Sequence, residues 1–370
     1  MIIEQRGWRS ENRCFLMVLI VMSWNLARDS DASQEQESAR YKHLTSISIA
    51  SNSISVVTGS SSRSVFVAAD SLGKVFICNI FKGTIVEEFQ IPNRESKEFV
   101  IALTIEEDKL LWLTSHGNSG AWSFDTREVV NSFSVGLKHV EQAVINGEGD
   151  ITMFSSRKVY RRLNNELRRI ENDMALAGIS VGNRSSGVFV GGDNGEVYLL
   201  SSSESELGIV FAPRGDEDYF RMPIESMATN AAGKVIAMVQ FSRVGSRVAA
   251  ISLEERKNRI DLLESSEAEP AYRAIAWSDD SEHLIAVGSS ITIWNAKDSW
   301  AEKAVIGPKE YGLRANTDGR CSFSSLYALE VDGQQAILVG TWDGKIIYLP
   351  LAVGEAPSVD WSRKPEREVP

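Results

Sequence analysis

The chain has 370 residues, of which 43% are hydrophobic and 24% are charged, and its formal net charge at pH 7 is −11. This composition supplies enough apolar side chains for a buried core and excludes global disorder. The negative charge argues against a general binder of nucleic acid or anionic membranes, because both would repel the chain. Cys14, Cys78 and Cys321 lie far apart without a Cys-x-x-Cys pair, so neither a disulfide framework nor a thiolate zinc site is supported.

The first 44 residues differ in amino-acid composition from the rest of the chain. Basic residues precede an apolar run over residues 14–22, and a polar stretch follows over 28–41. This order fits a signal peptide with Ser30-x-Ala32 as its cleavage site, although the run is too short to span a bilayer comfortably. The other interpretation is a buried strand or a disordered leader. We expect residues 1–44 to be a leader and linker and the protein to be cytoplasmic, with export or membrane anchoring as the alternative.

Residues 45 to about 355 alternate short β-rich runs with Gly, Asn, Asp and Ser, and sustained helical periodicity is hard to find there. One unit recurs: an apolar strand, a tight polar turn and a second apolar strand. Clear copies lie at 64–90, 110–135, 187–200 and 336–349, and weaker copies at 151–163, 235–253 and 274–294. The turn positions of these copies are Gly73, Gly120, Arg157, Gly195, Gly245, Ser290 and Gly344. Their separations bracket the ~40–45 residues of a four-stranded propeller blade.

Several units contain fragments of a known repeat. They are Gly340-Thr341-Trp342-Asp343-Gly344, Gly192-Asp193-Asn194-Gly195, Ile293-Trp294-Asn295 and, more loosely, Trp122-Ser123-Phe124-Asp125. In these fragments the chain resembles the WD-repeat family, whose repeat has a Gly-x-x-Asp-Gly-type turn and a strand ending in Trp-Asp. Because no unit contains the family's Gly-His dipeptide, the sequence does not predict the family's usual His–Asp hydrogen bonds inside the blades.

The resemblance implies an all-β fold, a β-propeller of about seven four-stranded blades of the WD40/YVTN-like kind. We expect the propeller to cover 45–362, with a tail over 363–370. It also implies that Trp122, Trp294 and Trp342 pack between blades. The structural repeat positions would be Asp70, Gly73, Trp122, Asp193, Gly195, Trp294, Trp342, Asp343 and Gly344. Either the segment 44–50 or the segment 356–362 could complete the last blade.

The sequence lacks the common motifs that carry catalysis. The four histidines, at 43, 116, 139 and 283, do not form a His-Glu-x-x-His pair, and neither a phosphate-binding P-loop nor a Gly-x-Ser-x-Gly elbow occurs. We therefore expect no catalytic, metal-binding or cofactor-binding residues. Six basic residues between Arg157 and Arg169 could form a patch for an acidic partner, but we favour a charged outer strand that discourages edge pairing.

Partner contacts are expected on loops, because a propeller varies its loops on a rigid ring of strands. The best candidates are an apparent insertion at 298–322 and the loop 213–222. Their candidate contact residues are Trp300, Tyr311, Arg314, Asp216, Asp218 and Tyr219. The sequence thus suggests a non-catalytic scaffold that binds protein partners on a propeller rim and does not bind nucleic acid. The alternative is an exported or membrane-anchored propeller that binds a small ligand or serves envelope assembly, with membrane contact only if 14–22 is an anchor.

Overall fold

The structure is a computed structural model, and it describes residues 45–147, 150–170, 176–181, 187–201, 206–213, 221–242, 245–253, 259–266, 271–311, 313, 322–351 and 361. These residues all belong to the larger of the two units into which the chain divides, His43–Pro370. The expected leader, the expected tail, and four candidate contacts (Asp216, Asp218, Tyr219 and Arg314) lie outside the described residues.

The described residues form β-strands joined by turns. In chain order the strands are β1 (Thr45–Ser48), β2 (Ile54–Ser60), β3 (Val65–Asp70), β4 (Lys74–Asn79), β5 (Ile85–Gln90), β6 (Val100–Glu106), β7 (Lys109–Thr114), β8 (Asn118–Ser123), β9 (Glu128–Ser134), β10 (Gln142–Gly147), β11 (Asp150–Ser155), β12 (Lys158–Leu163), β13 (Glu166–Arg169), β14 (Leu176–Val181), β15 (Val188–Gly192), β16 (Val197–Leu200), β17 (Leu207–Phe211), β18 (Ile224–Thr229), β19 (Val235–Ser242), β20 (Gly245–Ser252), β21 (Arg259–Leu263), β22 (Tyr272–Trp277), β23 (His283–Gly288), β24 (Ile291–Asn295), β25 (Ala301–Ile306), β26 (Phe323–Val331), β27 (Gln334–Thr341) and β28 (Lys345–Pro350). Short 3-10 turns cover Ala296–Asp298 and Pro308–Tyr311.

The strands make seven antiparallel four-stranded sheets, which are the blades of a β-propeller. Blades one to six are consecutive groups of four strands, from β2–β5 to β22–β25, and blade seven combines β26, β27 and β28 with β1. The first strands of successive blades lie beside one another around the ring, so each blade begins at the centre and ends at the outside. The predicted fold class, all-β with about seven blades, is confirmed.

Blade seven is completed by the N-terminal strand. Strand β1 pairs antiparallel with β28, with Thr45 opposite Tyr348 and Ser48 opposite Lys345. The open question of ring closure is therefore settled in favour of the segment near residue 45. Backbone pairing between the two ends of the propeller leaves β28 without an exposed edge.

Strands β3 and β15, in the middle of their blades, are largely apolar because neighbouring blades cover both of their faces. Five of the six residues of β3 and all five of β15 are buried, whereas every residue but one of the outer strand β9 is exposed. The core consists of clusters between adjacent blades; one, for example, joins Phe66 of blade one to Leu338 of blade seven. Full burial of such a side chain contributes about 1.5–3 kcal/mol.

Two sequence expectations about the blades need correction. Gly117, with φ of +78°, is the turn glycine of blade two, and Gly120 lies inside β8. A Cβ at Gly120 would stand 2.3 Å from Cζ2 of Trp112, so this glycine makes room for a buried indole. The apparent insertion at 298–322 includes β25, the outer strand of blade six, so only the segment after Ile306 connects blades six and seven.

Candidate functional site

One end of the ring gathers the segments that enter the inner strands and the hairpins between the second and third strands of each blade. Backbone hydrogen bonds join the two kinds of segment, from Ser71 N to Ser53 O, Ser115 N to Phe99 O, and Trp342 N to Ser322 O. We call this end the entry face.

Side-chain hydrogen bonds hold the hairpins of the entry face in shape. Asp70 Oδ1 accepts from the backbone N–H groups of Leu72 and Lys74, each at 2.9 Å, which fixes the turn of blade one. In blade seven, Thr341 Oγ1 donates to Asp343 Oδ1 at 2.6 Å and accepts from the backbone N–H of Lys345 at 2.9 Å. Short polar side chains of this kind replace backbone partners in tight turns.

Thr114 holds the equivalent place in blade two, where its Oγ1 accepts from the backbone N–H of Asn118 at 2.9 Å, and it contacts the fully buried side chain of Glu98. Glu98 Oε1 accepts hydrogen bonds from Thr114 Oγ1 and, at 2.8 Å, from Asn118 Nδ2. Its Oε2 atom accepts from the backbone N–H of Glu95 at 2.6 Å. The network ties the segment entering β6 to the hairpin after β7. An isolated glutamate ahead of an apolar strand gave no signal of this role in the sequence.

The entry face also exposes an aromatic side chain. Trp342 lies in the hairpin between β27 and β28 and is 44% exposed. The guanidinium carbon of Arg273, at the start of the inner strand of blade six, lies 5.7 Å from the centre of the indole ring. Leu72 and Phe99 are further exposed apolar side chains on this face.

Glu225 lies near the start of β18, the inner strand of blade five, and its charge interacts with that of Arg273. Partial burial raises the pKa of its carboxyl above the ordinary value, and the charge of Arg273 opposes that rise. Glu225, Arg273 and Trp342 thus come from blades five, six and seven, and we call these three residues the entry-face patch. In such an arrangement the exposed indole can stack on an apolar group, and the neighbouring guanidinium can pair with an anion.

The tryptophans with repeat positions divide into two groups. Trp294 is fully buried and donates its indole N–H to Glu264 O at 2.8 Å, while Trp122 is 3% exposed and stacks on Phe89 of blade one at 5.8 Å. Both therefore lie between neighbouring blades. Trp342 does not lie between blades, because it falls in the hairpin after the second strand of its blade. Trp294, by contrast, lies in the third strand of its blade. The expectation of interblade packing thus fails for Trp342.

Two described candidate contacts turn inward. Trp300 is half-buried, donates its indole N–H to Asp261 Oδ2 at 3.1 Å and meets Trp277 edge-on at 5.6 Å. Tyr311 is 9% exposed and meets Phe323 edge-on at 6.0 Å. The structure does not bring these two aromatic residues together at the surface.

The basic run of blade three enters local contacts. Arg161 makes two hydrogen bonds of 2.9 Å to Asp150, and Arg157 approaches Asp193 of blade four to 3.3 Å. The guanidinium of Arg162 lies 3.9 Å above the ring of Phe133. These contacts favour a structural use of Arg157, Arg161 and Arg162 over a patch for an acidic partner.

Two further findings concern the described ranges only. Within them, no group of three or more His, Cys, Asp or Glu side chains is placed to hold a metal ion. A helix with the length and apolar character needed to cross a bilayer is not present in that part of the chain.

The chain matches no protein-family model and no curated protein sequence. Among solved structures it is similar to the crystal structure of the Cps50 (Swd1) β-propeller domain of Myceliophteria thermophila, with a TM-score of 0.65. The match covers 83% of this chain and 100% of that domain at 10% sequence identity. At this identity the likeness extends to the fold alone, and the two chains share the β-propeller architecture.

Proposed function

We propose that this protein is a WD-repeat-type propeller without catalytic activity, which binds a protein partner through its entry face. The observation that carries the proposal is the 44% exposed indole of Trp342 on a hydrogen-bonded hairpin, with Arg273 beside it. Tryptophan and arginine are the residue types most enriched among the energetic hot spots of protein interfaces.

The hairpin that carries Trp342 favours binding because it is already ordered. Thr341 and Asp343 hold the turn through their side chains, and Gly344, with φ of +80°, takes a left-handed conformation that suits glycine. A preorganised anchor loses little conformational entropy on binding, so more of its contact energy appears as affinity.

The chemistry of the patch indicates the kind of segment it would bind. An apolar side chain of the partner would cover the indole of Trp342, and a carboxylate would compete with Glu225 for Arg273. We therefore propose an extended partner segment with an apolar residue near an acidic one. Asp216, Asp218 and Tyr219 precede β18 in sequence and Arg314 precedes β26, so these residues remain proposed contacts of the same face.

The test is affinity purification of tagged full-length protein, with quantitative mass spectrometry of the bound proteins. We expect Trp342→Ala to reduce recovery of the specific partner, with a loss of affinity of about 30-fold, corresponding to ~2 kcal/mol for a hot-spot residue. Ile209→Ala is the matched control, since Ile209 is 61% exposed on the outer strand β17. An unchanged set of bound proteins with Trp342→Ala, or an equal loss with Ile209→Ala, would contradict the proposal.

A further inference from the structure

The entry face carries exposed apolar side chains on three consecutive blades. Trp342 of blade seven is 44% exposed, Leu72 of blade one is 48% exposed, and Phe99, just before the inner strand of blade two, is 40% exposed. We call these three residues the apolar arc. Single exposed apolar side chains are ordinary on a protein surface, whereas a row of them marks a binding site.

Backbone hydrogen bonds join the three segments of the apolar arc into one surface. They run from Ala50 N to Gly344 O, from Ser71 N to Ser53 O and from Ile91 N to Gly73 O, at 3.1, 2.8 and 3.2 Å. The hairpin of Trp342 is thus tied to the segment that enters blade one, and the hairpin of Leu72 is tied to the segment that leads to Phe99. The three apolar side chains therefore lie on ordered, connected backbone.

The inner strands of blades five and six continue the row with two opposite charges. The pairing of β18 with β19 shifts register at Glu225, and the pairing of β22 with β23 shifts at Arg273. Both residues are exposed, although the preceding residues, Ile224 and Tyr272, are buried. A bulge of this kind redirects a side chain away from the regular pleat. We call Glu225 and Arg273 the charged arc.

Blades three and four have a different surface at the same end of the ring. Their hairpins carry Arg157 and Asp193, which approach each other to 3.3 Å and so offset each other's charge. From blade five through blades six, seven and one to blade two, by contrast, the exposed side chains change from charged to apolar in ring order.

We propose that the entry face binds an extended peptide segment of a partner protein, with apolar residues of the segment over the apolar arc and an adjoining pair of opposite charges over the charged arc. The inference rests on the proposed function, and it adds the length of the contact and the order of the residue types. A segment with both charges complements Arg273 and Glu225. An anionic membrane surface would instead be repelled by Glu225 and by the net charge of −11.

The distance between the two arcs gives the segment a sequence pattern. The guanidinium carbon of Arg273 lies 5.7 Å from the centre of the Trp342 indole ring. Alternate residues on one face of an extended strand lie about 6.5 Å apart. The acidic residue that faces Arg273 is therefore two positions from the apolar residue that covers Trp342. A basic residue faces Glu225 on the side away from the apolar residues.

The test is selection of a displayed library of random peptides on the full-length chain, followed by fluorescence anisotropy of a selected peptide. We expect the selected sequences to contain an acidic residue two positions from an apolar one. Leu72→Ser and Phe99→Ser should each weaken binding about tenfold, because each removes an apolar contact that the segment covers. Leu262→Ser is the matched control, since Leu262 is 46% exposed on the outer strand β21, and it should bind as the wild type does.

An exchange of charges tests the charged arc. A chain with both Glu225→Arg and Arg273→Glu should bind the selected peptide about tenfold more weakly at low salt. It should regain affinity for a peptide in which the acidic and basic residues are exchanged. All of the substituted side chains are exposed, so these variants should keep the Tm of the wild type. Equal affinity of the exchanged chain for both peptides would overturn the proposal.

The outcomes separate this inference from the proposed function. Peptide binding that survives Trp342→Ala would contradict both. Binding that requires Trp342 but is unchanged by Leu72→Ser and Phe99→Ser would overturn only the extended contact. A dimer of the wild-type chain in sedimentation velocity that Leu72→Ser dissociates would assign the apolar arc to a second copy, and would also overturn the inference.

Discussion

Replacement of Glu98 by alanine should destabilise the propeller strongly, because one buried carboxyl group serves three donors. Thr114 and Asn118 donate to one of its oxygens and the backbone N–H of Glu95 to the other. The side chains of Glu98 and Thr114 are 0% and 1% exposed, so water does not replace the hydrogen bond between them without a rearrangement. The alanine variant would leave the buried hydroxyl of Thr114 without this acceptor and would expose the other two donors to partial hydration.

The magnitude follows from the number of donors left behind. An unsatisfied buried donor costs about 1–3 kcal/mol. Thr114 is the most enclosed of the three donors, and the other two regain part of their hydrogen bonding from water. A loss of about 3–5 kcal/mol is the expected total, a large part of the ~5–15 kcal/mol by which domains are usually stable.

Urea unfolding followed by tryptophan fluorescence provides the assay. Glu88→Ala is the matched control, since Glu88 is 48% exposed and forms a surface pair with Lys74 at 2.7 Å. Such pairs contribute about 0–1 kcal/mol, so the midpoint of this variant should stay near that of the wild type. A loss below ~1 kcal/mol for Glu98→Ala would refute the buried network.

Three further predictions concern other buried groups. Arg162 is 8% exposed, burial lowers the pKa of its guanidinium, and its Nη1 atom has no hydrogen-bond partner among the described residues. Arg162→Met should therefore keep or raise the urea midpoint of unfolding. A decrease of more than ~2 kcal/mol in the free energy of unfolding would contradict this. Burial lowers the pKa of His283 below 6.5, so the unfolded chain binds the proton more readily and stability falls as pH drops through about 6.5. Urea midpoints at pH 7.5 and 5.5 should differ less for His283→Gln than for the wild type, and equal differences would exclude this role. Burial also raises the pKa of the Cys78 thiol, so in a chain with Cys14→Ser and Cys321→Ser a thiol reagent should react only on unfolding; prompt reaction of the native chain would show that the thiol is accessible.

The strands and turns of the blades could be predicted because their causes are local. Residues 65–69 of β3 are apolar, and both faces of the strand are covered. The sequence Asp-Ser-Leu-Gly at 70–73 encodes the turn through the carboxyl of Asp70 and the positive φ of Gly73. These signals occur within a few residues and recur from blade to blade, which is why the all-β propeller could be identified.

The parts that could not be predicted depend on distant partners. Trp300 looked exposed in a connection, yet Asp261 and Trp277 hold it in place from earlier strands. Trp342 and Trp294 are both tryptophans at repeat positions. Trp342 is exposed because it lies in the hairpin between β27 and β28, and Trp294 is buried because it lies within β24. Closure by β1 depends on a pairing that spans nearly the whole propeller. Local propensity contains no information about such contacts.

Closure of the ring by the first strand also means that the two strands of the closing pair are synthesised at very different times. Strand β1 is synthesised first, but β28, its partner, follows about 300 residues later, which corresponds to ~15–60 s at ordinary rates of synthesis. During that interval blades one to six can form in order, while Thr45–Ser48 has no strand to pair with. The pairing that closes the ring therefore unites the earliest and the latest parts of the propeller, and a chain that ends before Lys345 lacks the strand with which β1 pairs.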